Sequence, residues 1–276
     1  MSLDFGHDKG TSDSSHRGFY LVHPMLSSHL LLDTMPQPEH TIRSVEPLHI
    51  GQFLIVRIET NHGIIGYGEA GVWGHRIPDA LSDVAAAPLQ CGRGTVFQAL
   101  LGIKPTETVS SLGVGGLGHL AIQFAAKMGC RVVVLSGSDR KREEAFKLGA
   151  HEFVATRDAK ELSVSAQIDR LLVTAAVPPD WSLLVPILAP RAAIYPLTVN
   201  MGNFSIPYMA LISRGIHIVG SQVPGRAIHK QMLEFAALHH VEPITETFPM
   251  TEGKITEAMD KLDRGEMYYQ AVLIPQ

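Results

Sequence analysis

Between Thr108 and Ala150 the chain reads TVSSLGVGGLGHLAIQFAAKMGCRVVVLSGSDRKREEAFKLGA. An apolar strand runs into a glycine turn, a helix, a second strand and a second helix. No other stretch narrows the choice of folds as much. Gly113, Gly115 and Gly118 stand at G-x-G-x-x-G spacing. In such a turn the first glycine permits the tight bend and the second clears the path of a pyrophosphate. The third lets helix pack on strand. A helix starting near Leu117 would aim its free N–H groups and positive dipole end at the phosphates. Gly113, Gly115, Gly116, Leu117 and Gly118 are therefore the expected dinucleotide cradle. The competing reading is a glycine-rich turn that serves only the core.

The end of the second strand bears on which dinucleotide is held. An NAD-selective site ends that strand with Asp or Glu, which accepts hydrogen bonds from the ribose hydroxyls. Here the strand ends in Ser136, and Gly137, Ser138, Asp139, Arg140 and Lys141 follow. Asp139 stands three residues late, where it is expected to cap the next helix. Two hydroxyls and two cations suit a 2′-phosphate, because charge-assisted hydrogen bonds to phosphate are strong. Ser136, Ser138, Arg140 and Lys141 are thus expected to favour NADP. A solvated helix start with exposed cations is the other reading.

With 276 residues, 45% of them hydrophobic, the chain can bury one large core or two modest ones. The net charge of −4 and the lack of a basic stripe argue against nucleic acid as a partner. Two cysteines, Cys91 and Cys130, exclude a disulfide scaffold and fit a reducing compartment. The N-terminus MSLDFGHDKGTSDSSH is polar and acidic, unlike a secretory signal. Phe19–Leu32 is too short, and too broken by His23, Pro24 and His29, to span a bilayer. A soluble, cytoplasmic protein is expected.

Residues 1–40 are expected to be poorly ordered, and residues 41–90 to form a small β region. Within the latter, Leu54, Val56 and Ile58 alternate with Arg57 and Glu59 as in a half-buried strand, and Asn61-His62-Gly63 marks a turn. After Pro105 the pattern changes to repeated βα units. Strands are predicted at 109–112, 132–135, 152–154, 169–174, 192–196 and 216–220, with helices at 117–128, 140–148, 181–188, 206–213 and 229–239. The fold class is α/β: a Rossmann doubly wound parallel sheet over 91–240 behind a small N-terminal β region. Residues 241–276 carry a helix near 254–262 and a strand at 271–274. They are expected to return to the N-terminal region.

Several stretches resemble the zinc-containing alcohol dehydrogenases of the medium-chain dehydrogenase/reductase superfamily. They are RIPDALSDVAAAPLQCGRGTVFQAL from Arg76, SLGVGGLGHLAIQFAAKMG from Ser111 and SGSDRKREEAFKLGA from Ser136. GSQVPGR from Gly220 and EAMDKLDRGEMYYQAVLIP from Glu257 continue in family order. The Ser136 segment is most similar to the NADP-dependent cinnamyl-alcohol-dehydrogenase branch. The resemblance implies nicotinamide-dependent interconversion of an alcohol and an aldehyde or ketone, with a catalytic zinc. It aligns Cys91 with a zinc ligand of the family, and a buried thiol is the alternative for that residue. It also sets Arg226 beside the cofactor, against an exposed first-turn cation. The family's Cys-x-Thr, Gly-His-Glu and C-x-x-C-x-x-C segments do not occur here, which implies impaired chemistry.

TIRSVEPLHIGQFLIVRIETNHGIIGYGEAGVWG, from Thr41, instead resembles the opening of the capping domain of the enolase superfamily. No barrel residues accompany it, and Glu69 is expected to be structural. Three functions follow in order: an NADP-dependent alcohol dehydrogenase, a non-catalytic nicotinamide-nucleotide-binding protein, and an enolase-superfamily lyase. The nicotinamide is expected near Tyr195–Leu197 and Gly220–Val223. His119 is expected to pack on the sheet, with a pyrophosphate contact as the alternative. A homodimer through the strand at 216–220 is expected, because exposed apolar faces associate.

Overall fold

The computed structural model describes residues 41–50, 53–69, 78–90 and 92–274. The expectation for residues 1–40 and the candidate Cys91 lie outside these. β1 (Ile42–Ile50), β2 (Phe53–Thr60) and β3 (Ile65–Glu69) form an antiparallel sheet in the order β1-β2-β3. The predicted turn closes β2 onto β3, with the Gly63 amide donating to the Thr60 carbonyl at 3.0 Å. Arg57 pairs with Glu59 of its own strand at 2.9 Å and with Glu46 of β1 at 3.7 Å. Ile58, expected on a covered face, is 37% exposed.

Two helices, α1 (Asp83–Ala86) and α2 (Gly92–Leu100), lead into the larger sheet. That sheet is built by β4 (Thr108–Leu112), β5 (Arg131–Ser136), β6 (Glu152–Ala155), β7 (Ile168–Val173), β8 (Leu188–Pro196) and β9 (His217–Ile218). The intervening helices are α3 (Gly118–Lys127), α4 (Arg142–Lys147), α5 (Trp181–Leu184) and α6 (Tyr208–Arg214). All six strands are parallel, in the order β6-β5-β4-β7-β8-β9. This is the doubly wound Rossmann order, with its switch point between β4 and β7. Near-continuous apolar runs explain it: Val132, Val133, Val134 and Leu135 are all fully buried, as a strand covered on both faces requires. α7 (Arg226–His239), β10 (Glu246–Pro249), α8 (Glu252–Asp263) and β11 (Ala271–Ile274) complete the chain, β10 and β11 pairing in parallel.

Three elements differ from the pattern. The predicted helix over 181–188 is α5 plus a 3-10 turn at Val185–Ile187, and Leu188 already begins β8. Pro186 lies in that turn, where a missing N–H and a fixed φ end a regular helix. The strand at 216–220 contracts to two residues, and β10 was not foreseen. The predicted helix α3 is buried at every position from Gly118 to Ala125. α2 and α7 cover its outer side: the Phe97 and Phe124 rings meet at 5.4 Å, and those of Phe97 and Phe235 at 5.6 Å. Leu81 and Leu89 join the same core.

Candidate functional site

The chain leaves β4 through Gly113, whose φ of 110° is a conformation that side chains rarely adopt. A Cβ at Gly118 would overlap the Gly113 carbonyl oxygen and stand 2.9 Å from the Thr174 hydroxyl. Only glycine lets the helix begin this close to the turn. At Gly115 a Cβ would meet nothing within 4 Å. The space in front of Gly115 is open. The N–H groups of Gly115, Gly116 and Leu117 have no backbone acceptor among the described residues. Orphan donors at the head of a ten-residue helix suit an anion, and the helix dipole adds to them.

His119 and Gln123, one turn apart on α3, are both buried. The Gln123 amide donates to the Glu242 carbonyl at 2.8 Å, and the Glu242 N–H donates back at 3.1 Å. His119 Nδ1 meets the Gly115 carbonyl at 2.9 Å, and its Nε2 accepts from the Ile244 N–H at 3.1 Å. Burial, reinforced by the Arg93 and Lys141 charges, pushes the imidazole down to about 3 from its ordinary 6.5. His119, expected to pack on the sheet, is buried between turn and tail and links the two.

Ser136 ends β5, as predicted. With Gly113, Gly137 and Thr156 it borders a cavity of about 320 Å³ beyond the carboxyl ends of the strands. Ligands of open α/β sheets bind in this kind of crevice. Ser138 is half-buried and Arg140 exposed; neither lines that cavity. Asp139 does not cap the helix. It lies in a 3-10 turn at Asp139–Lys141 and accepts from Arg142 Nε at 2.9 Å. Lys141 turns toward the glycine loop, donating to the Val114 carbonyl at 2.8 Å with its ammonium 3.8 Å from the Tyr269 ring centroid. Burial holds its pKa below the usual lysine range, partly offset by Glu144.

A second cavity of about 220 Å³ opens beyond β7 and β8, bordered by Pro196, Thr198, Trp181 and Phe204. Pro196 falls within the stretch expected to face the nicotinamide; Gly220–Val223 borders neither cavity. Arg226 begins α7, half-buried and outside both cavities. Among the described residues no group of three or more His, Cys, Asp and Glu side chains could hold a metal ion.

Two features escaped the sequence reading. Arg157, just past β6, borders the larger cavity beside Ser136; its place at a strand's carboxyl end beside the crevice was the available signal. The tail is the other. Both Tyr268 and Tyr269 donate their hydroxyls to Glu144, and the Tyr269 carbonyl lies 3.3 Å from where a Gly116 Cβ would stand. No local pattern announces a contact between residues 125 apart.

The sheet order and glycine turn define a Rossmann dinucleotide-binding fold. Residues 116–237 match the zinc-binding dehydrogenase family. An aldehyde reductase from Synechocystis is 32% identical over 75% of this chain and 63% of its own length. An NADP-dependent alcohol dehydrogenase C from Mycolicibacterium smegmatis is 32% identical over 72% of this chain and 57% of its own. Among solved structures, a cinnamyl alcohol dehydrogenase from Sorghum bicolor superposes with a TM-score of 0.66 at 27% identity, covering 80% of this chain and 67% of that one. Through these residues the chain is similar to the zinc-containing alcohol dehydrogenases of the medium-chain dehydrogenase/reductase superfamily. It spans less than two thirds of the length of these curated relatives.

Proposed function

We propose that the protein is an NADP(H)-dependent oxidoreductase that interconverts an alcohol and an aldehyde or ketone. The observation that carries this reading is the open space before Gly115, in a turn whose N–H groups lack backbone acceptors and whose first glycine, Gly113, also borders the cavity at Ser136. Gly113, Gly115, Gly116, Leu117 and Gly118 would hold the diphosphate. Ser136, Ser138, Arg140 and Lys141 would hold the 2′-phosphate, joined by Arg157. Arg226 would steady the nicotinamide half. NADP dependence in the Mycolicibacterium relative supports the choice of cofactor.

When bound, the nicotinamide supplies or accepts a hydride at its C4. The residues of this chain bind and orient: backbone donors fix the diphosphate and the cations fix the adenosine end. Cys91 is proposed as one zinc ligand, which the name of the matched family supports. The described residues offer no complete metal site, and no step of the proposal runs through zinc. The nucleotide-binding unit is proposed to span 91–240, with 41–90 and 241–276 as flanking segments.

A homodimer is proposed through the edge strand β9. There Ile218 is 42% exposed, and Met209 and Ile212 of the preceding α6 are exposed as well. No helix among the described residues is long and apolar enough to cross a membrane. We propose a cytoplasmic location, consistent with the sparse cysteines.

Calorimetric titration with NADPH and NADH tests the reading. Binding of NADPH about tenfold tighter than NADH, with turnover on an alcohol and aldehyde panel, is expected. No heat with either nucleotide overturns it. Tight binding without turnover supports the alternative, a nucleotide-binding protein without catalysis.

A further inference from the structure

We infer that His119 is the positioning residue of the glycine turn, a fixed neutral imidazole that holds the Gly115 carbonyl on one side and the tail at Ile244 on the other. The inference rests on the dinucleotide reading for its functional consequence and on geometry for the rest. The Gly115 carbonyl can only accept, so Nδ1 must carry the proton of the 2.9 Å bond. The Ile244 amide can only donate, so Nε2 must be bare in the 3.1 Å bond. The two partners together leave one tautomer, and burial keeps the ring from charging.

The consequence follows from the direction of one peptide group. With the Gly115 carbonyl drawn inward to His119, the N–H of Gly116 in the same peptide unit is turned the opposite way, because a trans peptide sets N–H and C=O on opposite sides. That N–H belongs to the orphan set at the open face of the turn. The same carbonyl accepts the His119 backbone N–H at 3.0 Å, so the imidazole is a second hold on this peptide group, and preorganisation of this kind appears directly in affinity. The Tyr269 ring, 4.6 Å from the imidazole centroid, packs against it from the tail side. Gln123 separately holds Glu242, so the tail keeps an anchor when His119 is altered.

Two conservative variants separate the two bonds. His119→Asn sets an amide where Nδ1 stood and keeps the Gly115 bond while losing Ile244. His119→Gln reaches the Nε2 position and keeps Ile244 while losing Gly115. His119→Ala loses both. NADPH affinity is expected to stay near wild type in the Asn variant and to fall about tenfold in the Gln and Ala variants. Amide exchange at Ile244 is expected to show the reverse order. In the wild-type protein, long-range proton–nitrogen correlation spectra are expected to show His119 protonated at Nδ1 and bare at Nε2. Protonation at Nε2, or equal losses of affinity in the Asn and Gln variants, overturns the inference. Should the wild-type protein bind no nucleotide, the dinucleotide reading falls by itself. The tautomer, and displacement of the Gly116 and Leu117 amide resonances in Gln but not Asn, then decide the place of His119.

Discussion

The glycine turn and the serine/cation loop follow two neighbouring paired strands, β4 and β5, and are built on opposite principles. The turn is crowded and tied: Gly113 is pinned by its φ, Gly118 by contact and His119 by two hydrogen bonds. The loop is open: Gly137 has nothing within 4 Å of its would-be Cβ, and Arg140 is exposed. A diphosphate has the same shape in every dinucleotide, so its seat can be rigid. A 2′-phosphate is gripped by charge, which tolerates looser geometry but is screened by salt. The contrast teaches where substitution should harm folding and where it should change only preference.

The strongest way to break that contrast is Gly118→Ala. Its Cβ would collide with the Gly113 backbone, which cannot swing aside as a flexible side chain could. A loss of about 3 kcal/mol of stability is expected, read by thermal or denaturant unfolding. Wild-type stability in the Gly118→Ala variant would mean that the turn is not crowded.

The pH dependence of stability sharpens the same point. The folded His119 resists protonation down to about 3, whereas the unfolded chain takes up a proton below the ordinary 6.5. Stability from this group is therefore complete above pH 6.5 and drains as the pH falls toward 3. The slope can reach about 1.4 kcal/mol per pH unit. Denaturant titrations between pH 7 and 4.5 should show that slope in wild type and a flatter one in His119→Asn.

Gly115→Ala separates seat from scaffold. Its Cβ meets no protein atom, so stability should be unchanged or rise by up to about 1 kcal/mol. NADPH affinity should fall by about 2 kcal/mol, roughly 30-fold, because the methyl occupies the ligand's space. Equal affinity in calorimetry would show that the diphosphate lies elsewhere. The smallest effects belong to the loop. Arg140→Ala and Arg157→Ala should each lower NADPH affinity by about 1 kcal/mol, leave NADH binding unchanged and reduce the salt dependence. A loss shared by both nucleotides would assign these cations to something other than the extra phosphate.

Much of the fold was legible because it is written in local pattern. Val132–Leu135 could only be a strand covered on both sides, and the glycines after Leu112 could only be a tight turn before a helix. The strand at 271–274 coincides with β11. The helix at 181–188 failed where Pro186 overrode the apolar period, and Asp139 failed as a cap because Arg142 claimed its carboxylate. For α3 the burial on all sides was not legible, because α2, α7 and the tail that cover it lie far off in the sequence.

The sequence by itself determined the alternation of strands and helices, the glycine turn and the chemistry at the end of the second strand. These depend on neighbours within a few residues, whose sterics and periodicity act locally. Only the tertiary structure decided that Lys141 turns to Val114 and Tyr269, that Arg157 and Ser136 border one cavity, and that His119 ties Gly115 to Ile244. Those contacts join positions far apart in the chain. Their partners are chosen by which surfaces the packed sheet brings together, a quantity no short window of residues contains.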